Sequence, residues 1–479
     1  MVTVVCFRRD LRLADNPALA AAIARGRPIV PVYIHDDAAA GRWATGGAAR
    51  WWLHQSLAAL AADLEARGSR LILRRGQTQD VLDQLVAETT AEAVYWNRLY
   101  EPWATARDTQ IKTRLAARGV DAQSFNAALL AEPWALKTRE ERPYRVFTPF
   151  WKALRAAVTP LPPQPAPDRL PAPAAFPRSD ALGSWSLVPR APDWAGGLRA
   201  TWTPGETGAR TRLDDFVRDA LPDYASARDR LGTAGTSRLS PHLAFGEIGP
   251  RQVWHAVASG AASQTGDPWA GAAEKFLAEI AWREFAHHLL FHFPDLPETP
   301  LRADFARFPW AEDPNRLRAW QRGLTGYPVV DAGMRELWHT GWMHNRVRMI
   351  AASFLVKDLL IDWRKGEAWF WDTLVDADLA NNAAGWQWVA GCGADAAPYF
   401  RIFNPALQGA KFDPAGTYVR RWVPELARLP DRLLHAPWQA PPVELADARV
   451  VLGRTYPWPV VDHAAARHTA LRLSKGLAP

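Results

Sequence analysis

The sequence predicts an α/β domain built on a parallel sheet, followed by an all-α domain. Over residues 1–130, short β-branched runs alternate with segments of helical length, which argues for a parallel sheet covered on both faces. Residues 131–204, above all 159–204, are rich in Pro, Ala, Gly and Ser, as an interdomain linker is. Over residues 205–479 helical segments dominate, broken at Gly249-Pro250, Pro294, Pro297, Pro300, Pro309 and 326–328. A chain of 479 residues also exceeds one small core.

The elements follow in order. Thr3–Phe7 reads as a strand ending in the basic turn Arg8-Arg9-Asp10, and residues 29–34 as a second. Residues 50–68 form an amphipathic helix, 70–73 a third strand and 78–88 a helix. Residues 93–96 are the fourth strand, 105–118 a helix ended by Gly119, and Asp121–Phe125 the fifth strand. No G-x-G-x-x-G follows the first strand, so the NAD-type fingerprint is absent. LPPQPAPDRLPAPAAFP can be neither helix nor central strand and is expected to run over the surface.

Composition narrows the class. No run of about 18 apolar residues occurs, so no membrane span is expected. MVTVVCFRRD lacks the pattern of a secretory signal. Two cysteines, Cys6 and Cys392, cannot build a disulfide framework or a four-cysteine zinc site. A reducing cytoplasm and no metal are expected. The net charge of +7 favours a polyanionic partner, nucleic acid first. There are 25 Trp against 18 Phe and 9 Tyr, although Trp is usually the scarcest aromatic. Most must pack in cores; the excess leaves some to stack on a flat ligand or relay electrons.

One stretch organises the rest: residues 376–388, DADLANNAAGWQW. Asp376 and Asp378 accept hydrogen bonds from hydroxyls or ring N–H groups, and Asn381 and Asn382 both donate and accept. Ala383, Ala384 and Gly385 leave room for something flat to approach the backbone. Thr236-Ser237-Arg238-Leu239-Ser240 gathers three hydroxyls and an arginine, as a phosphate needs. Tyr224 and Arg228 lie one helical turn apart upstream. Glu279, Trp282 and Arg283 share one helix face, which suits a flat polar ligand. His287 and His288 are adjacent, point apart and receive no metal role. In GWMHNRVRM, Asn345, Arg346 and Met349 can form one surface while Arg348 points elsewhere, toward a carboxylate such as Asp376. Arginines beside aromatics suit a phosphate backbone next to an exposed base. Residues 395–408 add Arg401, Asn404 and Gln408 in a loop-like context.

Taken together, FRRDLRLADNPAL, TSRLSP, IAWREF, GWMHNRVRM, FLVKDLLIDWR, DADLANNAAGWQW and DAAPYFRIFNP closely resemble the photolyase/cryptochrome family, in order and over essentially the whole chain. Within it the chain is most similar to bacterial class I-like photolyases for cyclobutane pyrimidine dimers. The resemblance implies a Rossmann-like α/β N-terminal domain and an all-α domain that binds FAD, active as FADH⁻. It implies that Tyr224 with Thr236, Ser237, Arg238, Leu239 and Ser240 hold the phosphate and adenine side. Arg348, Asp376, Ala377, Asp378 and Asn382 would then hold the ring and sugar side, with Asn382 facing the flavin N5. Plant cryptochromes place an acid at that position, animal ones typically a cysteine, and photolyases asparagine.

The same resemblance implies an electron relay through Trp386, Trp363 and Trp310. It places the lesion against Glu279, Trp282, Asn345, Arg346, Met349 and Trp388, and UV-damaged DNA against Arg228, Arg346, Arg401 and Gln408. The (6–4) branch carries histidines where Asn345 and Met349 stand, so cyclobutane dimers are the expected lesion. Where family members hold a folate antenna with an Asn-Glu pair and a His, this chain has Trp103-Ala104 and Gly46. A deazaflavin, another flavin, a differently placed folate or no antenna remain open. The enzyme is expected to be a monomer in the cytoplasm, associated with the nucleoid when on DNA. A bacterial cryptochrome is the alternative, disfavoured by Asn382 and the lack of a C-terminal extension, and a (6–4) photolyase comes third.

Overall fold

Thr3–Phe7 is a run of β-branched and apolar residues, and it forms β1, buried along its whole length. The computed structural model describes residues 1–262, 267–396, 398–399 and 401–476. Its first unit comprises Met1–Pro222, Ser237–Pro294 and Val375–Ala380. Here β1 is followed by α1 (Pro17–Ala24), β2 (Ile29–His35), α2 (Gly47–Glu65), β3 (Ile72–Arg75), α3 (Thr78–Thr89), β4 (Ala93–Asn97), α4 (Pro102–Ala117) and β5 (Asp121–Phe125). The strands pair in parallel in the order β3-β2-β1-β4-β5. The central strands β1 and β4 are fully buried, whereas β5 is a half-exposed edge carrying Asp121, Gln123 and Ser124. Asn16 caps α1 by accepting from the Leu19 N–H, with Pro17 in the first turn.

Two sequence expectations shift. The third strand begins at Ile72 rather than at residue 70, because its start is set by pairing with Val32 of β2. The proline-rich region also holds a helix the sequence did not announce, α5 (Phe147–Ala157), which buries Phe150 and Leu154. From residue 159 to 181 there is no helix or strand. That run lies along the first unit through backbone bonds such as Ile29 N to Pro171 O at 2.7 Å and Asp180 N to Leu73 O at 2.8 Å.

The chain leaves β1 toward β2 on one side and reaches β4 on the other, so the carboxyl ends of β1 and β4 frame the sheet's switch-point crevice. Protein side chains fill it. Arg8 Nη1 donates to both Asp108 oxygens at 2.9 and 2.7 Å, Trp96 Nε1 to Asp108 at 3.1 Å, and Asn97 Nδ2 to Asp10 at 2.6 Å.

The second unit comprises Asp223–Thr236, Asp295–Leu374 and Asn381–Pro479. Its described residues form helices and turns and no strand. Trp320, Trp363, Phe354 and Val356 are among its fully buried side chains. Helix Pro328–Thr340 opens on a proline and ends at Gly341, whose φ of 67° lets the chain reverse. His344 caps helix Asn345–Ser353, and one π-helical turn, Phe354–Asp358, follows. Asp362 caps helix Trp363–Thr373. No helix of the described residues is long and apolar enough to cross a membrane.

Candidate functional site

Helix Leu379–Ala390 carries Asn382 and Trp386 one turn apart on one face. Asn382 is buried, and its Nδ2 donates to the Glu367 carbonyl at 3.0 Å, which orients the amide. Trp386 stands edge-on to Phe370 at 5.0 Å and to Trp320 at 6.2 Å. It packs over Gly366, where a Cβ would come within 2.1 Å of the indole. Its buried N–H has no hydrogen-bond partner among the described residues. Gln387 next to it is structural: it accepts from Leu301 N at 2.9 Å and donates to the Leu296 and Thr299 carbonyls at 2.6 and 2.8 Å. Trp363 is buried with the Arg364 guanidinium 4.9 Å from its ring. Trp310 is half-buried, 4.3 Å from Phe308. The three expected relay tryptophans thus share the second unit, but no two of them are in ring contact among the described residues. Trp386 touches Trp320 instead, a residue the sequence did not single out.

The other expected cofactor residues divide between the units. In the first, Asp376, Ala377 and Asp378 are buried. Arg9 Nη1 donates to the Ala377 carbonyl at 3.0 Å, and His287 Nε2 lies 3.3 Å from Asp378 Oδ2. Arg238 takes a left-handed φ of 51°, uncommon for a residue with a Cβ. It turns the chain between Ser237 and helix Ser240–Ala244, and Leu239 is buried behind it. In the second, Thr236 is half-buried, and the buried Tyr224 has the Arg228 guanidinium 5.3 Å from its ring. Arg348 Nε donates to the Met343 carbonyl at 2.8 Å.

In helix Asp267–His292 of the first unit, Glu279 and Trp282 are half-buried. Trp282 lies flat against Phe147 of α5, with centroids 3.8 Å apart and planes 7° from parallel. Phe147 was not legible as a site neighbour, since its segment and the helix meet only on folding, where Phe147 and Phe150 also contact Phe285 and Arg155 pairs with Glu274. Arg283 is half-buried, and its Nη1 donates to the Ala128 carbonyl at 2.6 Å, which braces the helix. Glu284 accepts from Leu130 N and Ala131 N at 2.8 and 3.3 Å, and burial pushes its carboxyl up to about 7. His288 has its ring nitrogens 3.0 Å from the Pro133 carbonyl and the Tyr144 N–H, and burial pushes it down to about 4. The thiols of Cys6 and Cys392 are buried and free, pushed up by burial to about 11 and about 12.

An open groove of about 520 Å³ in the second unit brings together Arg346, Arg401 and Gln408 from separated segments. Asp229, Arg230 and Lys411 line it as well. These three belong to no motif read in the sequence, although Lys411 follows Gln408 by one helical turn in Pro405–Phe412. Arg346 Nη2 donates to Asp229 at 2.6 Å, and its guanidinium sits 4.6 Å from the Phe412 ring. Asn345 is exposed and Met349 and Trp388 are half-buried; none of them, nor Arg228, lines this groove.

Known proteins share this arrangement. The family model described as DNA photolyase matches residues 3–170, and the FAD binding domain of DNA photolyase matches residues 276–476. A deoxyribodipyrimidine photo-lyase of Agrobacterium fabrum is 53% identical, over 98% of this chain and 96% of its own. Cryptochrome-1 of Arabidopsis thaliana is 41% identical, over 98% of this chain and 70% of its own. The crystal structure of a bacterial class III photolyase from Agrobacterium tumefaciens superposes with a TM-score of 0.96 at 52% identity, covering 99% of this chain and 97% of that one. Both halves of the chain match, and the FAD-binding model spans the helices that carry Trp386, Arg346 and Gln408: the chain belongs to the DNA photolyase/cryptochrome family.

Proposed function

We propose that this chain is a deoxyribodipyrimidine photo-lyase that repairs cyclobutane pyrimidine dimers in DNA under blue or near-UV light, with FAD as cofactor. The observation that carries the DNA reading is the open groove where Arg346, Arg401 and Gln408 converge, its wall also carrying Arg230 and Lys411 against the single carboxylate of Asp229. The residues fit a flavin nucleotide. Asp376 and Asp378 are buried carboxylates of the kind that accept from hydroxyl and ring N–H groups. The buried Trp386 N–H, beside the oriented Asn382 amide, calls for an acceptor on a flat neighbour.

Tyr224, Thr236, Ser237, Arg238, Leu239 and Ser240 would hold the phosphate and adenine side. Arg348, Asp376, Ala377, Asp378 and Asn382 would hold the ring and sugar side. When bound, reduced FAD supplies the photochemistry: light lets it lend one electron to the dimer and recover it after the cyclobutane ring opens. The chain does the rest. Trp282, braced flat on Phe147, and Trp388 stack on the flipped-out dimer. Glu279 hydrogen-bonds a thymine, Asn345 and Met349 border the lesion, and Arg228, Arg346, Arg401 and Gln408 grip the strand. An amide at Asn382 stabilises negative charge without offering an acidic proton. Trp386, Trp363 and Trp310 relay electrons inward from the surface. The enzyme works as a monomer in the cytoplasm.

Light-dependent repair of a defined thymine dimer in an oligonucleotide, by purified reduced protein with a dark control, tests this. Repair in the light alone supports it. Bound, photoreducible FAD without repair favours the cryptochrome reading, which the 41% identity to Cryptochrome-1 keeps as the second choice. Trp386→Phe should abolish photoreduction of oxidised FAD while pre-reduced enzyme still repairs. Loss of repair in the pre-reduced variant would give Trp386 another role.

A further inference from the structure

Lys357 is a fully buried ammonium, 1% exposed, in the π-helical turn Phe354–Asp358. π-Helical turns are rare and aim side chains off the regular helical lattice. A buried lysine ordinarily pairs with a carboxylate. None pairs with this one among the described residues. Its neighbour Asp358 is engaged elsewhere, 2.5 Å from Nδ1 of His463 on the helix His463–Lys475. Lys357 Nζ instead donates to the Arg401 carbonyl at 3.0 Å and lies 5.1 Å from the Tyr399 ring centroid. The turn it grips is closed by Arg401 N donating to the Pro398 carbonyl at 2.8 Å. Burial pushes the ammonium down to about 8, so holding a charge there is unfavourable in itself. The arrangement is explained if it fixes something that must be fixed. The Arg401 side chain is exposed and lines the groove with Arg346 and Gln408.

We propose that Lys357 is a positioning residue for DNA binding: from the buried side it clamps the Arg401 backbone and so holds the Arg401 guanidinium in the groove where the strand's phosphates pass. The ammonium bonds the carbonyl of the residue that must be aimed and rests on the ring two positions before it. A free turn would leave Arg401 to search its rotamers, and a phosphate contact would then carry the entropy of ordering both side chain and backbone. This rests on the reading of Arg401 as a DNA contact.

The test is the salt dependence of binding to a dimer-containing duplex, using the FAD-bound protein and its Arg401→Ala, Lys357→Met and doubly substituted forms. Arg401→Ala should lower the slope of log affinity against log salt by about one. Lys357→Met should lower it nearly as much, and the double variant no further. Trypsin supplies a readout independent of binding, since Arg401 is itself a cleavage site: Lys357→Met should speed cleavage after Arg401 at least tenfold, and Lys357→Arg should restore most of the protection. An unchanged slope in Lys357→Met, with the Arg401→Ala effect intact, overturns the clamp alone. An unchanged slope in Arg401→Ala overturns the DNA role of Arg401 and the clamp with it. If Lys357→Met does not fold, Tyr399→Leu removes the ring beneath the ammonium and must show the same pair of changes, weaker; if it shows neither, the clamp is overturned.

Discussion

At the carboxyl ends of β1 and β4 the arginines are engaged almost completely; in the groove of the second unit most are not. Arg8 is held by both oxygens of Asp108. Arg12, 1% exposed, donates from Nε, Nη1 and Nη2 to the carbonyls of Ala14, Gly246, Asp15 and Ala127. The guanidiniums of Arg230 and Arg401 and the ammonium of Lys411, by contrast, meet no carboxylate among the described residues; Arg346 alone is paired, with Asp229. Both regions are cationic by composition, and only one has hydrogen-bonding capacity left for a polyanion. A guanidinium whose donors are all used is scaffold; one whose donors point into a groove is a site. The switch-point crevice, where an open parallel sheet usually receives its ligand, is here filled by its own ion pairs.

This contrast breaks most visibly at Arg12. Arg12→Ala leaves four carbonyls, three of them buried, without their donor and removes a packed stem, which should cost roughly 4 kcal/mol of stability. Urea unfolding measures it. The folded fraction should keep the wild-type salt slope for DNA. A change in slope with little loss of stability would place Arg12 with the groove rather than the scaffold.

Glu284 sharpens the scaffold side. Burial, partly offset by Arg283 and His287, raises its carboxyl from 4.5 to about 7. A carboxyl raised on folding contributes stability that is complete below about pH 4.5 and lost as pH rises through about 7. Glu284→Gln keeps an oxygen for the Leu130 and Ala131 N–H groups and removes the titration. Between pH 4.5 and 7.5 the wild type should therefore lose about 3 kcal/mol relative to the variant. Parallel unfolding curves at the two pH values would show that the carboxyl stays ionised throughout.

The two regions were also unequally legible. β1 and β5 fall on the residues expected of them, because β-branched runs bounded by turn residues fix strand ends locally. β3 slid by two residues because its start depends on a partner strand. α5 went unread among prolines, yet it supplies Phe147, which braces Trp282. In the groove, Arg346 and Arg401 belong to motifs of the sequence and Gln408 closely follows one, and all three line the same wall. Asp229, Arg230 and Lys411 were not legible there, since a charged residue's sequence position does not say whether its head is engaged or open. Arg283 shows what helical spacing leaves open: it shares a face with Glu279 and Trp282, yet one of its donors goes to the Ala128 carbonyl.

The smallest effect is the most discriminating, because it asks whether the Asp229–Arg346 ion pair behaves as scaffold or as site. Asp229 and Arg346 keep side-chain exposures of 35% and 21%, so their pair contributes on the order of 1 kcal/mol or less. Asp229→Asn should leave unfolding unchanged within about 0.5 kcal/mol. Its effect on DNA has two opposed parts. Removing a carboxylate from a phosphate path lowers repulsion and frees a guanidinium to release one more counterion, steepening the salt slope by up to about 0.9. Losing the 2.6 Å bond loosens Arg346. The first should win, because Phe412, 4.6 Å from the guanidinium, still restrains it and an Asn oxygen can still accept from it. Affinity at low salt should rise several-fold and the gain should vanish at high salt, where screening removes it. A loss of affinity at every salt concentration would mean that Asp229 aims Arg346 as Asp108 aims Arg8, and the line between the two regions would have to be drawn elsewhere.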